Sequence, residues 1–197
     1  MKTTLVLFSL ILMNFGCKNI SKEEVNDQNH KIEEVNSKTK KILSPHSYAM
    51  AMVDDVHIHI DYSSPSVRGW IIFGGLVAYD EVWQSGAHKA TWLETDKDLL
   101  VNSKFLKAGK YGFFTIPNKD NWTVILNKNW DQHGKDEYDE RDDVLRFNVK
   151  HEISEEITEQ LVYNVQKINE SEGSISLSWE KITLSFSFSI PKWKLIN

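Results

Sequence analysis

The chain has 197 residues, a formal net charge of −5 and a single cysteine. That length suits one domain with appendages, and one cysteine excludes an internal disulfide. Residues 1–43 carry seven lysines and five acidic side chains, so the remainder has a net charge of −7, which argues against nucleic acid or anionic lipid as a partner of the main body.

The amino terminus reads as an export signal. Met1-Lys2 is a short positive start, and Thr3 to Phe15 is almost wholly apolar. The run is shorter than the roughly 20 residues a membrane-spanning helix needs, but it suits the core of a secretory signal. Gly16-Cys17 closes it and resembles the lipobox of bacterial lipoproteins, with Asn14 standing where an aliphatic residue is usual. The expectation is a signal peptide over residues 1–16 and lipidation of Cys17. Membrane contact would then run through an N-terminal lipid anchor, at the cell envelope and as an outer membrane lipoprotein, with the periplasmic or surface-facing side left open.

From residue 18 to residue 43 the chain alternates Lys, Glu, Asn and Ser and lacks Gly, Pro and aromatics. Such a stretch buries too little apolar surface to offset its ordering entropy, so 17–43 reads as the lipidated cysteine and a charged tether with a reach on the order of 30 Å. Its SKEE segment is similar to the surface-export signals of some Gram-negative lipoproteins; a merely soluble linker accounts for it too.

Ser44-Pro45 opens the domain, 44–197, and period-two alternation follows. His46–Val53 and Val56–Tyr62 form an expected hairpin about Asp54-Asp55. Val56, Ile58, Ile60 and Tyr62 share one face of the second strand, and His57, His59 and Asp61 share the other. Extended segments are expected at Lys89–Thr95, Asp98–Val101, Lys104–Leu106, Lys110–Pro117, Trp122–Lys128, Asp143–Lys150 and Thr158–Val165. Near the end, Ile175, Leu177 and Trp179 alternate with serines. After a turn at Glu180-Lys181, Ile182, Leu184, Phe186, Phe188 and Ile190 do the same. About nine short strands and no long helical pattern imply an all-β chain, a single antiparallel β-sandwich of jelly-roll or Greek-key type.

Between these strands, residues 61–91 lack clean alternation, hold four of the nine glycines and carry Trp70, Trp83, His88 and Lys89 among turn residues. A long irregular segment in a compact domain is functional or disordered, and this one is too apolar for disorder. Tyr62, Trp70, Trp83, Gln84, His88 and Lys89 are therefore the candidate ligand-binding residues.

His57-x-His59-x-Asp61 is the sharpest chemical pattern. On a strand it lines up two imidazoles and a carboxylate roughly 7 Å apart per step, which could hold zinc, iron or copper if His88, Asp131 or His133 completed the set. A polar stripe facing solvent fits the alternation equally. The acidic loop from Asp131 to Asp143 lacks the spacing of a helix-loop-helix calcium site. Trp92, Trp122 and Trp179 fall in strand patterns that suit core packing, whereas Trp70, Trp83, Trp130 and Trp193 fall in loops or at an end, where one could stack on a sugar. Nucleophile-elbow, zincin, phosphate-loop and dinucleotide motifs are absent, so no catalytic residue is assigned.

The run IDYSSPSVRGWIIFGGLVAYDEVWQSGAHKAT, with KAGKYGFFTIP, WTVILN, DVLRF and LSWEK after it, resembles the bacterial family known as domain of unknown function 2911 over about residues 44–190. The resemblance implies a secreted or lipid-anchored β-rich domain and no established activity. Tyr62, Pro65, Gly69, Trp83, Gly86, Ala87, Ala90 and Thr91 match the family pattern. Ser64 and Trp70 replace arginines, Gln84 replaces the arginine after Trp83, and His88-Lys89 replaces Asn-Glu. Those charges either form an internal ion network, which this chain has shed together, or bind an anionic ligand it no longer holds as well. The expectation is a non-catalytic binding or interaction module for a small molecule, glycan or protein, without a cofactor. The alternative is a metal-dependent enzyme using the His-x-His strand.

Overall fold

The computed structural model describes residues 42–191. The signal segment, Cys17, the tether to residue 41 and Trp193 lie outside them. The expected first hairpin forms from β1 (His46–Val53) and β2 (Val56–Ser63), with Val53 opposite Val56 and Asp54 at φ 51° in the intervening turn. Then come β3 (Thr91–Thr95), β4 (Leu99–Val101), β5 (Lys104–Leu106), β6 (Gly109–Ile116), β7 (Asn121–Asn127) and β8 (Asp143–Lys150). Two long strands, β9 (Glu152–Lys167) and β10 (Glu172–Ser189), complete the order.

All pairings are antiparallel, in a six-stranded sheet β1-β2-β3-β6-β7-β8 and a four-stranded sheet β5-β4-β10-β9. The chain is thus all-β, a single antiparallel sandwich. After β3 it crosses to the small sheet, makes the β4–β5 hairpin, and returns as β6 beside β3. Inward faces of both sheets share one core, with Val56, Ile58, Ile60, Leu93, Phe113 and Val124 from one and Leu99, Leu161, Ile175, Leu177, Leu184 and Phe188 from the other. Removing such faces from water is the main force holding the sheets together. On the far side of the large sheet a smaller cluster of Ala90, Phe114 and Ile125 is roofed by Val82, Ile116 and Tyr138.

Two strand expectations need correction. Glu180-Lys181 is not a turn between two strands. β10 runs straight through it, with register shifts against β9 on either side of Glu180, whose φ is 55°. The buried side chains change from odd positions (Ile175, Leu177, Trp179) to even ones (Leu184, Phe186, Phe188) across it. An extra residue at a bulge causes that phase change, and in sequence it mimics a turn. β9 likewise starts six residues earlier than its alternation does, because Glu152 to Ile157 is exposed on both faces.

Segment 61–91 is tied to a strand of each sheet. Pro65 to Val67 pairs with β9: Leu161 N donates to Pro65 O at 2.9 Å, and Val67 N to Glu159 O at 2.8 Å. Further on, Trp83 and Thr115 exchange backbone hydrogen bonds of 2.8 and 2.9 Å, which seats the segment against β6.

Candidate functional site

The turn after Trp83 is fixed from three sides. Ser85 has φ 54°, a conformation that non-glycine residues hold only when their surroundings over-determine it. Its carbonyl accepts from the Tyr163 hydroxyl at 2.8 Å and from Thr91 Oγ1 at 3.0 Å, and its own hydroxyl pairs with Thr115 Oγ1 at 2.9 Å. Gly86 follows because a Cβ there would stand 2.6 Å from Thr91 Oγ1. Trp83 closes the turn by donating from its indole to Gly86 O at 3.1 Å. Burial pushes the Tyr163 phenol well above its ordinary range, so it stays a neutral donor.

This turn forms one wall of a cleft of about 410 Å³. Trp83 and Trp179, stacked with centroids 5.7 Å apart and planes 22° from parallel, both contribute to its lining. Leu76, Val77, Ala78 and Val82 add apolar surface, and an ion pair of Lys135 and Glu81 at 3.2 Å stands beside them. Arg68, Gln84 and His88 bring three polar side chains to the lining, and none has a hydrogen-bond or ion-pair partner for that side chain among the described residues. A cleft of this size suits a small ligand. A guanidinium, an amide and an imidazole offer donors to carboxylate or hydroxyl oxygens, and Leu76 and Val82 offer an apolar flank to the ligand's body, while the Trp83 and Trp179 rings are buried behind them.

Of the six candidate ligand residues, Trp83, Gln84 and His88 meet at this cleft. Tyr62 does not: it is buried, its ring lies 4.7 Å from that of Tyr163, and its hydroxyl accepts the Tyr163 N–H at 3.3 Å. It is a structural residue because the inward alternation of β2 continues through it. Trp70 is 64% exposed on the following turn. Lys89 points elsewhere and pairs with Asp131 at 3.2 Å. Arg68 is the member the sequence pattern does not single out, since one cation in a loop has no periodicity to mark it.

The positions that differ in charge from the family pattern are also dispersed. Ser64 is buried with its hydroxyl donating to Leu161 O at 2.7 Å, Gln84 and His88 line the cleft, and Trp70 and Lys89 lie apart from them.

The histidine strip is a different kind of surface. His57, His59 and Asp61 share the outward face of β2, as alternation requires. His59 is packed between Tyr48 at 5.8 Å and Trp92 at 5.1 Å, both stacked, while Asp61 bonds His46 Nε2 at 2.6 Å. Burial, with His57 and Lys110 nearby, lowers the His59 pKa against the opposing pull of Asp61 and Glu94. His133 bonds Asp136, and Asp131 is taken by Lys89. Among the described residues no three His, Cys, Asp or Glu side chains converge into a group that could hold a metal ion. Trp92 belongs to this outer face, not to the core: Lys110 Nζ sits 3.2 Å from its ring centroid and 3.9 Å from that of Trp130.

Most carboxylates of the acidic loop pair with neighbouring basic side chains. Asp139 caps the 3₁₀ turn Glu140–Asp142 and pairs with Arg141, which holds its pKa down to about 2. Asp143 pairs with Arg146 at 3.2 Å and accepts from Tyr138, whose phenol is pushed up to about 12 by burial and then by Asp143.

No curated protein and no solved structure matches the chain. A family model, Protein of unknown function (DUF2911), matches residues 44–188. That span takes in both sheets, the cleft and the ordered turn at Trp83, and the chain belongs to this family.

Proposed function

We propose that the sandwich is a non-catalytic binding module of a bacterial envelope lipoprotein, and that its ligand seats in the cleft beside Trp83. The observation that carries this reading is the set of Arg68, Gln84 and His88, three polar residues lining a cleft of about 410 Å³ whose side chains have no partner among the described residues. A protein gains little from holding such groups together for stability alone, whereas a ligand with oxygen acceptors would pair them. The ligand class is a small molecule with a carboxylate or hydroxyl-rich end and an apolar body that covers Leu76 and Val82.

The test is thermal denaturation against a panel of small carboxylates and sugars. A ligand at a hundred times its Kd adds about 2.7 kcal/mol, a rise of roughly 5–10 °C for a domain of this size. The rise should vanish in an Arg68→Ala/Gln84→Ala/His88→Ala variant of normal stability. A flat panel with the parental protein would favour a purely structural role. The anchor is tested separately, since Cys17→Ser should move the protein out of the membrane fraction.

A further inference from the structure

Residues 68–77 form a built turn that shows an apolar tip to solvent. Val67, Ile72, Phe73 and Val77 are buried and fasten it to the core. Its backbone is tied by Trp70 N to Val67 O at 2.9 Å, Leu76 N to Ile71 O at 3.0 Å and Gly74 N to Val77 O at 2.8 Å. Gly75 is required because a Cβ would collide with the Ile71 carbonyl oxygen. On this frame Trp70 is 64%, Ile71 75% and Leu76 57% exposed. The exposure does not come from a loose loop, since anchored and exposed residues alternate within one hydrogen-bonded turn. Clustered exposed apolar side chains of this kind mark a contact surface.

We propose that this tip dips into the interfacial layer of a phospholipid bilayer. The described chain begins at Ile42 and Leu43, which share a groove with Arg68, two residues before Trp70. Ile42 and Leu43 therefore lie beside the segment that carries the tip, and Cys17 stands 25 residues before Ile42 in the sequence. This placement rests on the lipoprotein reading proposed above: lipidation there would hold the tip against the surface. The side chains suit that layer: a tryptophan belongs at headgroup level and flanking aliphatics reach the acyl boundary. With residues 44–197 at a net charge of −7, the contact is apolar in origin, and anionic lipid should not be needed.

The test uses the chain from Lys18 onward, which lacks both the apolar leader and the acylation site; every core residue among those described lies between Val53 and Ile190. The probe is vesicles of phosphatidylcholine. We expect weak co-flotation at millimolar lipid, consistent with the marginal affinity of small apolar insertions. Trp70→Ser/Ile71→Ser/Leu76→Ser should reduce it by about tenfold or more while leaving the near-ultraviolet dichroism intact. Brominated phosphatidylcholine should quench parental tryptophan emission, and Trp70→Phe should lose most of that quenching while still floating. No flotation of the parental chain, or flotation untouched by the triple variant, overturns the proposal. Binding only when phosphatidylglycerol is present also overturns it, since that is Coulombic capture. So does cross-linking from position 71 to a protein in membranes whose extracted lipids do not bind.

Discussion

Two aromatic groups on opposite faces of the large sheet use the same residue types differently. Inside, Phe73 meets Trp122 edge-on at 4.7 Å and Trp179 at 5.9 Å, and Trp83 stacks on Trp179. Outside, Tyr48, His59 and Trp92 form a stacked row, with Lys110 over Trp92 and Trp130. The inner rings are buried, so their contribution is apolar area and close packing. The outer rings are less completely buried, with Tyr48 57% exposed, so more of what they add is the pairwise attraction of a stack or a cation. Equal numbers of rings therefore need not mean equal stability.

The largest separation should come from truncating one ring in each group. Trp122 is 1% exposed and fills the space between Phe73 and Trp83. Trp122→Ala should cost about 3–5 kcal/mol, through lost transfer energy and the cavity left behind. Trp92→Ala on the other face should cost less, about 1–2 kcal/mol, the scale of its ring pairs and cation contact at a partly exposed site. Urea denaturation of both variants measures this. Similar losses would mean that the outer row is part of the core in all but position.

Which face a ring takes was legible in part. Val56, Ile58 and Ile60 alternate with polar partners, and the sequence assigns them inward correctly because a strand's period of two leaves no other choice. Trp92 misleads for the opposite reason. Hydrophobicity alone sends a tryptophan inward, but its strand partner on the same face is Glu94, while Thr91, Leu93 and Thr95 take the buried face. Alternation outranks residue type there. The cleft was legible as a region and not as a set of residues. Trp83, Gln84 and His88 fall in the irregular segment, yet the support of that turn by Tyr163 spans 78 residues. Nothing local announces a hydrogen bond of that range. The bulge at Glu180 was hidden as well, since a one-residue phase change and a turn leave the same trace in a strand pattern.

Two histidines carry the comparison into pH. His151 borders the inner group, 6.1 Å from Trp122, with Nδ1 buried and unpartnered; His59 sits in the outer row. Burial is the first cause of a lowered pKa in both. Asp120 opposes it and Lys150 adds to it at His151. Above the ordinary value of 6.5 both are neutral whether folded or not, and neither makes stability depend on pH. As pH falls below 6.5 the unfolded chain takes up these protons first, so stability declines until the lower folded pKa values have been passed. The denaturation midpoint should fall between pH 7 and pH 5. His151→Gln should flatten that slope more than His59→Gln, because the His151 ring is the more buried. The reverse order would place the tighter packing on the outer face.

The smallest effect isolates the cation. Lys110 Nζ lies over two indoles at once, and Lys110→Met keeps most of the stem's packing while removing the charge. At an exposed site such a contact is worth about 0.5–1 kcal/mol. The loss should therefore be no larger than that, and it should be confined to the outer row. A double-mutant cycle of Lys110→Met with Trp92→Leu should return a coupling of that size, whereas Lys110→Met with Trp122→Phe should be additive because the sheet lies between them. Coupling to Trp122 instead would mean that the two faces communicate through β3 and β6, and that the aromatic groups form one unit rather than two.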